Sequence, residues 1–241
     1  MTQVQLFEDQ LASLATETLK AEQSSSLTFL STRGGNLTYR GDPVANNTLP
    51  CVILAAPIER LYYSTRYDPT KIVGPDCYAI GNPGSVIAPT ANVPNKQADK
   101  CEGCPKNEWG SAPNGGKGKA CRETRRLLLI PADAVSTPEA VQTAELAALR
   151  PPVTSLKNYT TYAQTIATSL KRPPLGVVTE VSVQPDPKTQ FKVAFKMTKA
   201  IDDADVINAL ITRSKAEVDK AIATAGMVDQ AEATTETTEK F

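Results

Sequence analysis

Four cysteines in one polar stretch carry the residue types and spacing most able to do chemistry. Cys101-Glu102-Gly103-Cys104 is a CxxC pair followed at once by Pro105, and Cys77 and Cys121 flank it on either side. A CxxC turn aims two thiolates at one ion while nearby N–H groups hydrogen-bond to the sulfurs. Two further thiolates complete a four-sulfur set, which favours Zn2+ held structurally, with no ligand position open for catalysis. A redox CxxC would stand beside a thioredoxin-like βαβ pattern, which is absent. The fifth cysteine, Cys51, lies in the apolar run CVILAA and suits a buried thiol.

Cations and aromatics interleave around these thiols. The block following Pro105, KNEWGSAPNGGKGKACRETRR, places Lys106, Lys117, Lys119, Arg122, Arg125 and Arg126 near Trp109, the single tryptophan. Cations neutralise phosphate and release counterions, and an aromatic plane stacks on an unpaired base. Trp109 has a second reading, as a lid packed over the metal. The glycines at 115, 116 and 118 miss the GxxxxGK[ST] spacing of a phosphate loop, which argues against NTPase chemistry. A second cluster joins Arg60, Tyr62, Tyr63, Arg66, Tyr67 and Lys71 to Phe29, Arg33, Tyr39 and Arg40 upstream. Interleaving of this kind is what an open barrel face needs to hold single-stranded nucleic acid. Alternation puts Tyr62 and Arg66 on one face and Tyr63 and Tyr67 on the other, so only one set can face a ligand.

Composition narrows the chemistry further. The 241 residues contain no histidine, which excludes Ser-His-Asp and Cys-His catalysis and any imidazole metal ligand. Without a suggestively placed carboxylate pair, the expectation is a protein that is not an enzyme. Lys and Arg total 26 and so do Asp and Glu, but they are segregated. Residues 1–59 carry a net −3, residues 60–126 a net +5 and residues 127–241 a net −2. A basic middle between acidic ends suggests a polyanion-binding surface. Four thiolates with Zn2+ would lower that middle to about +3. No apolar run approaches the roughly 18 residues that span a bilayer, so no membrane partner is expected. The start MTQVQLFEDQ lacks a basic signal region, which predicts a cytoplasmic protein.

The elements that must position these residues follow from periodicity. Val4, Phe7, Leu11 and Leu14 predict an amphipathic N-terminal helix. Segments 27–32 and 36–40 predict a hairpin through Gly34-Gly35, and 51–56 and 60–67 predict strands broken at Pro57. Residues 74–121, rich in Pro, Gly, Asn and Lys, predict a loop-like insertion ordered by metal rather than by a core. A buried strand is expected over 125–130, and helices over 137–149 and 155–170. A hairpin is expected over 177–199, and then a long helix capped by Asp202 or Asp203. Together these predict an α+β protein around a small OB-like β-barrel, with C-terminal helices, as one domain over 1–226. Residues 227–241, with a net charge of −3, predict a flexible, mildly acidic tail.

The pattern Gln97-x3-Cys101-x2-Cys104-Pro105-x3-Trp109-Gly110-Ser111…Gly118-Lys119-Ala120-Cys121 resembles zinc-containing single-stranded-DNA-binding proteins of tailed bacteriophages, which have an OB-type barrel and a metal-bound insertion. The later stretch TTYAQTIATSLKRPPLGVVTEV is similar to the downstream part of such chains, so the resemblance covers residues 27–200. It implies Cys77, Cys101, Cys104 and Cys121 as Zn2+ ligands. It also implies single-stranded DNA as the partner, a role in DNA replication or recombination in the host cytoplasm, and contacts with replication or recombination proteins through the acidic tail. Members of that family often use histidine, which this chain lacks, and so Cys77 and Cys51 both stand as candidates for the fourth ligand. The alternative is a zinc-stabilised protein-interaction module, a phage transcription or assembly factor.

Overall fold

Two apolar runs set the centre of the fold. The computed structural model describes residues 27–65 and 73–223. The expected N-terminal helix, the tail from 227, and Arg66, Tyr67 and Lys71 lie outside the described residues. Near the start of the described chain are β1 (Thr28–Ser31), β2 (Thr38–Tyr39), β3 (Asp42–Pro43), β4 (Thr48–Ala55) and β5 (Ile58–Tyr62). Then come β6 (Cys77–Gly81), β7 (Arg122–Arg125), β8 (Leu127–Pro131), α1 (Pro138–Thr143) and β9 (Ala147–Leu149). The described chain finishes with α2 (Leu156–Leu170), β10 (Val177–Asp186), β11 (Gln190–Ala200) and α3 (Ala204–Ala223). The fold is α+β: β11-β10-β4-β8-β9-β1-β2-β3 make a curled, eight-stranded half-barrel sheet, and β6-β5-β7 a separate three-stranded sheet.

Strands β4 and β8 pair antiparallel, with Val52 opposite Ile130 and Ile53 opposite Leu129. Both are covered on both faces, which is why their sequences are unbroken apolar runs rather than alternations. Val52, Leu54, Leu128 and Ile130 pack against Val206, Leu210 and Val218 of α3 and Val141 of α1. Cys51, Ile53, Leu127 and Leu129 pack on the other side against Tyr159, Tyr162 and Ile166 of α2. Burying each such Leu or Ile contributes about 1.5–3 kcal/mol, so this double-sided seam is the main source of stability.

Several local expectations hold and others give way to tertiary pairing. The hairpins β1–β2 and β10–β11 form, and Asp203 rather than Asp202 caps α3, its Oδ1 accepting from the N–H groups of Asp205 and Val206 at 2.9 and 3.0 Å. Gly34 and Gly35 turn the first hairpin in the left-handed region, at φ 62° and 78°. The helix expected over 137–149 stops at Thr143. Ala147–Leu149 is instead a strand, parallel to β1 and antiparallel to β8, because a buried slot between two strands outweighs the helix propensity of alanine. The strand expected over 60–67 ends at Tyr62. The polar insertion opens with β6, whose five residues are all buried and which sends Tyr78 and Ile80 into the main core.

Candidate metal centre and nucleic-acid interface

The three-stranded sheet decides what reaches the thiols. Side chains alternate along β5, so Glu59 and Leu61 are buried while Arg60 and Tyr62 face the opposite way. Its register sets Tyr62 opposite Cys77, and Arg60 opposite Ala79 on one side and Glu123 on the other. The chain after β6 folds back over this face. The N–H of Cys101 donates to the carbonyl of Ile87 at 2.9 Å, and that of Cys121 to the carbonyl of Lys106 at 2.7 Å. Ser111 Oγ donates to the carbonyl of Lys106 at 3.0 Å and accepts from the N–H of Ala120 at 3.0 Å, closing the 106–120 loop on itself.

Cys77, Cys101, Cys104 and Cys121 line one cavity of about 20 Å³, together with Arg60, Tyr62, Lys100 and Lys106. All four are free thiols. Among the described residues no set of Cys, Asp or Glu side chains stands as a ready metal-binding group. In donor type, four cysteines lining one small space match what a soft cation takes. Burial pushes the Cys77 and Cys101 thiols up, and it pushes Cys121 up to about 12 with help from the neighbouring sulfurs. Deprotonating such a group calls for positive charge inside it. Cys77, Cys101, Cys104 and Cys121 are the residues that would hold Zn2+, which when bound supplies a cross-link between β6, the start of β7 and the intervening loop. Cys51 lies elsewhere. It is buried in the α2 side of the core, where burial pushes its thiol up to about 12.

The loop carries the aromatic and basic residues outward. Trp109 is 80% exposed, so it is no lid over the thiols. Lys119 Nζ sits 5.5 Å from the Trp109 ring centre and donates to Asn107 Oδ1 at 3.3 Å. Asn107 in turn donates from Nδ2 to the carbonyl of Cys101 at 2.9 Å, which ties the exposed pair to the thiol cluster. Lys106 Nζ lies 5.3 Å from the Tyr62 ring. Lys117 and Arg122 are exposed on the same lobe.

Other expected contact residues are placed differently. Arg60 is held by Glu123, with Nε and Nη2 at 3.0 and 2.9 Å from Oε2, and it borders the thiol cavity. Arg33 is exposed in the turn after β1. Tyr39 and Arg40 stand near the far edge of the large sheet, where Arg40 covers the Tyr39 ring at 5.5 Å and pairs with Glu145. Burial and Glu145 push the Tyr39 hydroxyl up to about 12. Arg125 donates to the carbonyl of Ala56 at 2.9 Å and borders a second cavity of about 650 Å³ between α2, α3 and Pro173–Leu175.

A buried charge cluster at the base of the lobe escaped sequence reasoning. Glu59 is 2% exposed and pairs with both Arg126, 0% exposed, and Arg150, while both guanidinium groups stack on the Phe29 ring. Burial alone would raise the Glu59 carboxyl, but the two arginines outweigh it and hold it below the usual carboxylate range. The available signal was Arg126 abutting the apolar run LLLI, where a solvated cation is out of place.

Among the described residues no helix is long and apolar enough to cross a membrane. No family model, curated protein or solved structure matches the chain.

Proposed function

We propose that the protein is a non-enzymatic, sequence-independent single-stranded-DNA-binding protein, acting in phage DNA replication or recombination in the host cytoplasm. The observation that carries this is the exposed Trp109–Lys119 pair, joined through Asn107 to the same thiol lobe that holds Tyr62 and Lys106. An exposed indole beside an ammonium offers a stacking plane and a phosphate contact at one point, which suits unpaired bases better than duplex. Zn2+ at the four thiols would hold that lobe in place, and the curled sheet would serve as the OB-like support. The acidic tail would recruit replication or recombination proteins.

Fluorescence anisotropy with labelled oligo-dT tests this directly. Binding at low salt, an affinity that falls with added salt, and quenching of the Trp109 emission are expected. Absence of binding at low salt, or an affinity indifferent to salt, would overturn it.

A second reading, a zinc-stabilised protein-interaction module, is favoured by one observation. Arg60 and Arg40 are each already paired with a carboxylate, Glu123 and Glu145, which leaves mixed charge at these positions. Zinc retention without any oligo-dT binding would select it.

A further inference from the structure

We propose that Arg60 is a positioning and charge-compensating residue for the four-thiol centre, and that Glu123 orients it; this rests on the reading that those thiols hold a metal ion. The guanidinium stands between a carboxylate and the thiols. Two of its nitrogens meet one Glu123 oxygen at 2.9–3.0 Å, and the side chain borders the small cavity that Cys77, Cys101, Cys104 and Cys121 line. Only 17% of its side chain is exposed, so this arrangement is held with little competing water. The backbone dictates it: Glu123 is the cross-strand neighbour of Arg60, on the same face.

The charge balance points the same way. Four thiolates around Zn2+ carry −2. Arg60, Lys100 and Lys106 border the cavity, and Glu123 is paired to Arg60, so three positive charges and one negative leave +2 around the centre. The two sums cancel. A cation bordering metal-bound thiolates lowers the cost of gathering four anions in one small space. Arg60 is therefore assigned to the metal centre rather than to a phosphate.

The test uses the full chain loaded with zinc, and in parallel with Co2+, whose thiolate charge-transfer absorption reads the sulfur environment. Zinc affinity is measured by competition with a chromophoric chelator. Arg60→Met is expected to weaken zinc binding 10–100-fold and to shift the Co2+–thiolate band. Arg60→Lys, which keeps a positive charge beside the thiols, should recover most of that loss. Glu123→Gln, at a half-exposed position where folding is safe, should fall between wild type and Arg60→Met. Zinc affinity within twofold of wild type in both Arg60→Met and Glu123→Gln, with an unchanged cobalt spectrum, would overturn the proposal. A wild-type protein that takes up neither metal would overturn the four-thiol reading itself, a distinct outcome that removes this proposal with it.

Discussion

Arg150 grips Glu59 with both arms of its fork, Nε at 2.6 Å from Oε2 and Nη2 at 3.0 Å from Oε1. Arg126 pairs with Oε1 from the other side, inside the core. Removing the carboxylate leaves two cations facing each other in a dry site, so Glu59→Gln should lower stability by about 3–5 kcal/mol. Urea unfolding followed by circular dichroism measures it.

The same cluster sets a pH dependence. The folded pKa of Glu59 is depressed below its unfolded value, so its contribution is fully present above the unfolded pKa of about 4.3 and is lost as pH falls through the folded one. The urea midpoint of the wild type should therefore hold down to about pH 5 and drop below pH 4. In Glu59→Gln the acid limb should be visibly flatter. An equally steep limb in the variant would show that other carboxylates control it.

Metal content separates Cys77 from Cys51, the alternative candidate for the fourth ligand. Cys77 borders the thiol cavity and Cys51 lies in the core on the α2 side. Elemental analysis should find about one zinc per chain in wild type and in Cys51→Ala, and a large loss in Cys77→Ala. Chelation of the wild-type metal should open the 101–121 lobe, read as increased amide exchange there, while β4 and β8 stay protected.

Trp109→Ala should weaken oligo-dT binding by about 1–3 kcal/mol and leave the urea midpoint within about 0.5 kcal/mol of wild type, since the ring is exposed. Lys119→Ala should lower the slope of log affinity against log salt by about 0.7 for one lost phosphate contact. An unchanged affinity in both variants would remove the lobe from the binding surface.

Arg213 ties α3 to the end of α1, donating to the carbonyls of Val141 and Ala144. Burial lowers its pKa, with Glu217 acting in opposition. Arg213→Ala strips two charge-assisted bonds from carbonyls at a helix end, and about 1.5–3 kcal/mol of stability should go with them. Thermal melts at constant protein concentration would show a lower midpoint without loss of zinc.

What local sequence determined is what short-range physics controls. Both hairpins, a cap at Asp202 or Asp203, helix α2 and the buried apolar runs of β4 and β8 were legible because turn chemistry, capping and unbroken apolar runs act within a few residues. Cys77, Cys101, Cys104 and Cys121, set apart by their spacing, come to line one small cavity. Only the tertiary structure decided the rest. Ala147–Leu149 became a strand because β1 and β8 offered it pairing on both sides. Trp109 turned to solvent because the loop closes on Ser111 and Gly118 rather than on the indole. Arg60 met Glu123, and Glu59 met Arg126 and Arg150, across 63 to 91 residues of chain. Such pairings depend on sheet register and on the free energy of burying charge, neither of which a local pattern can express.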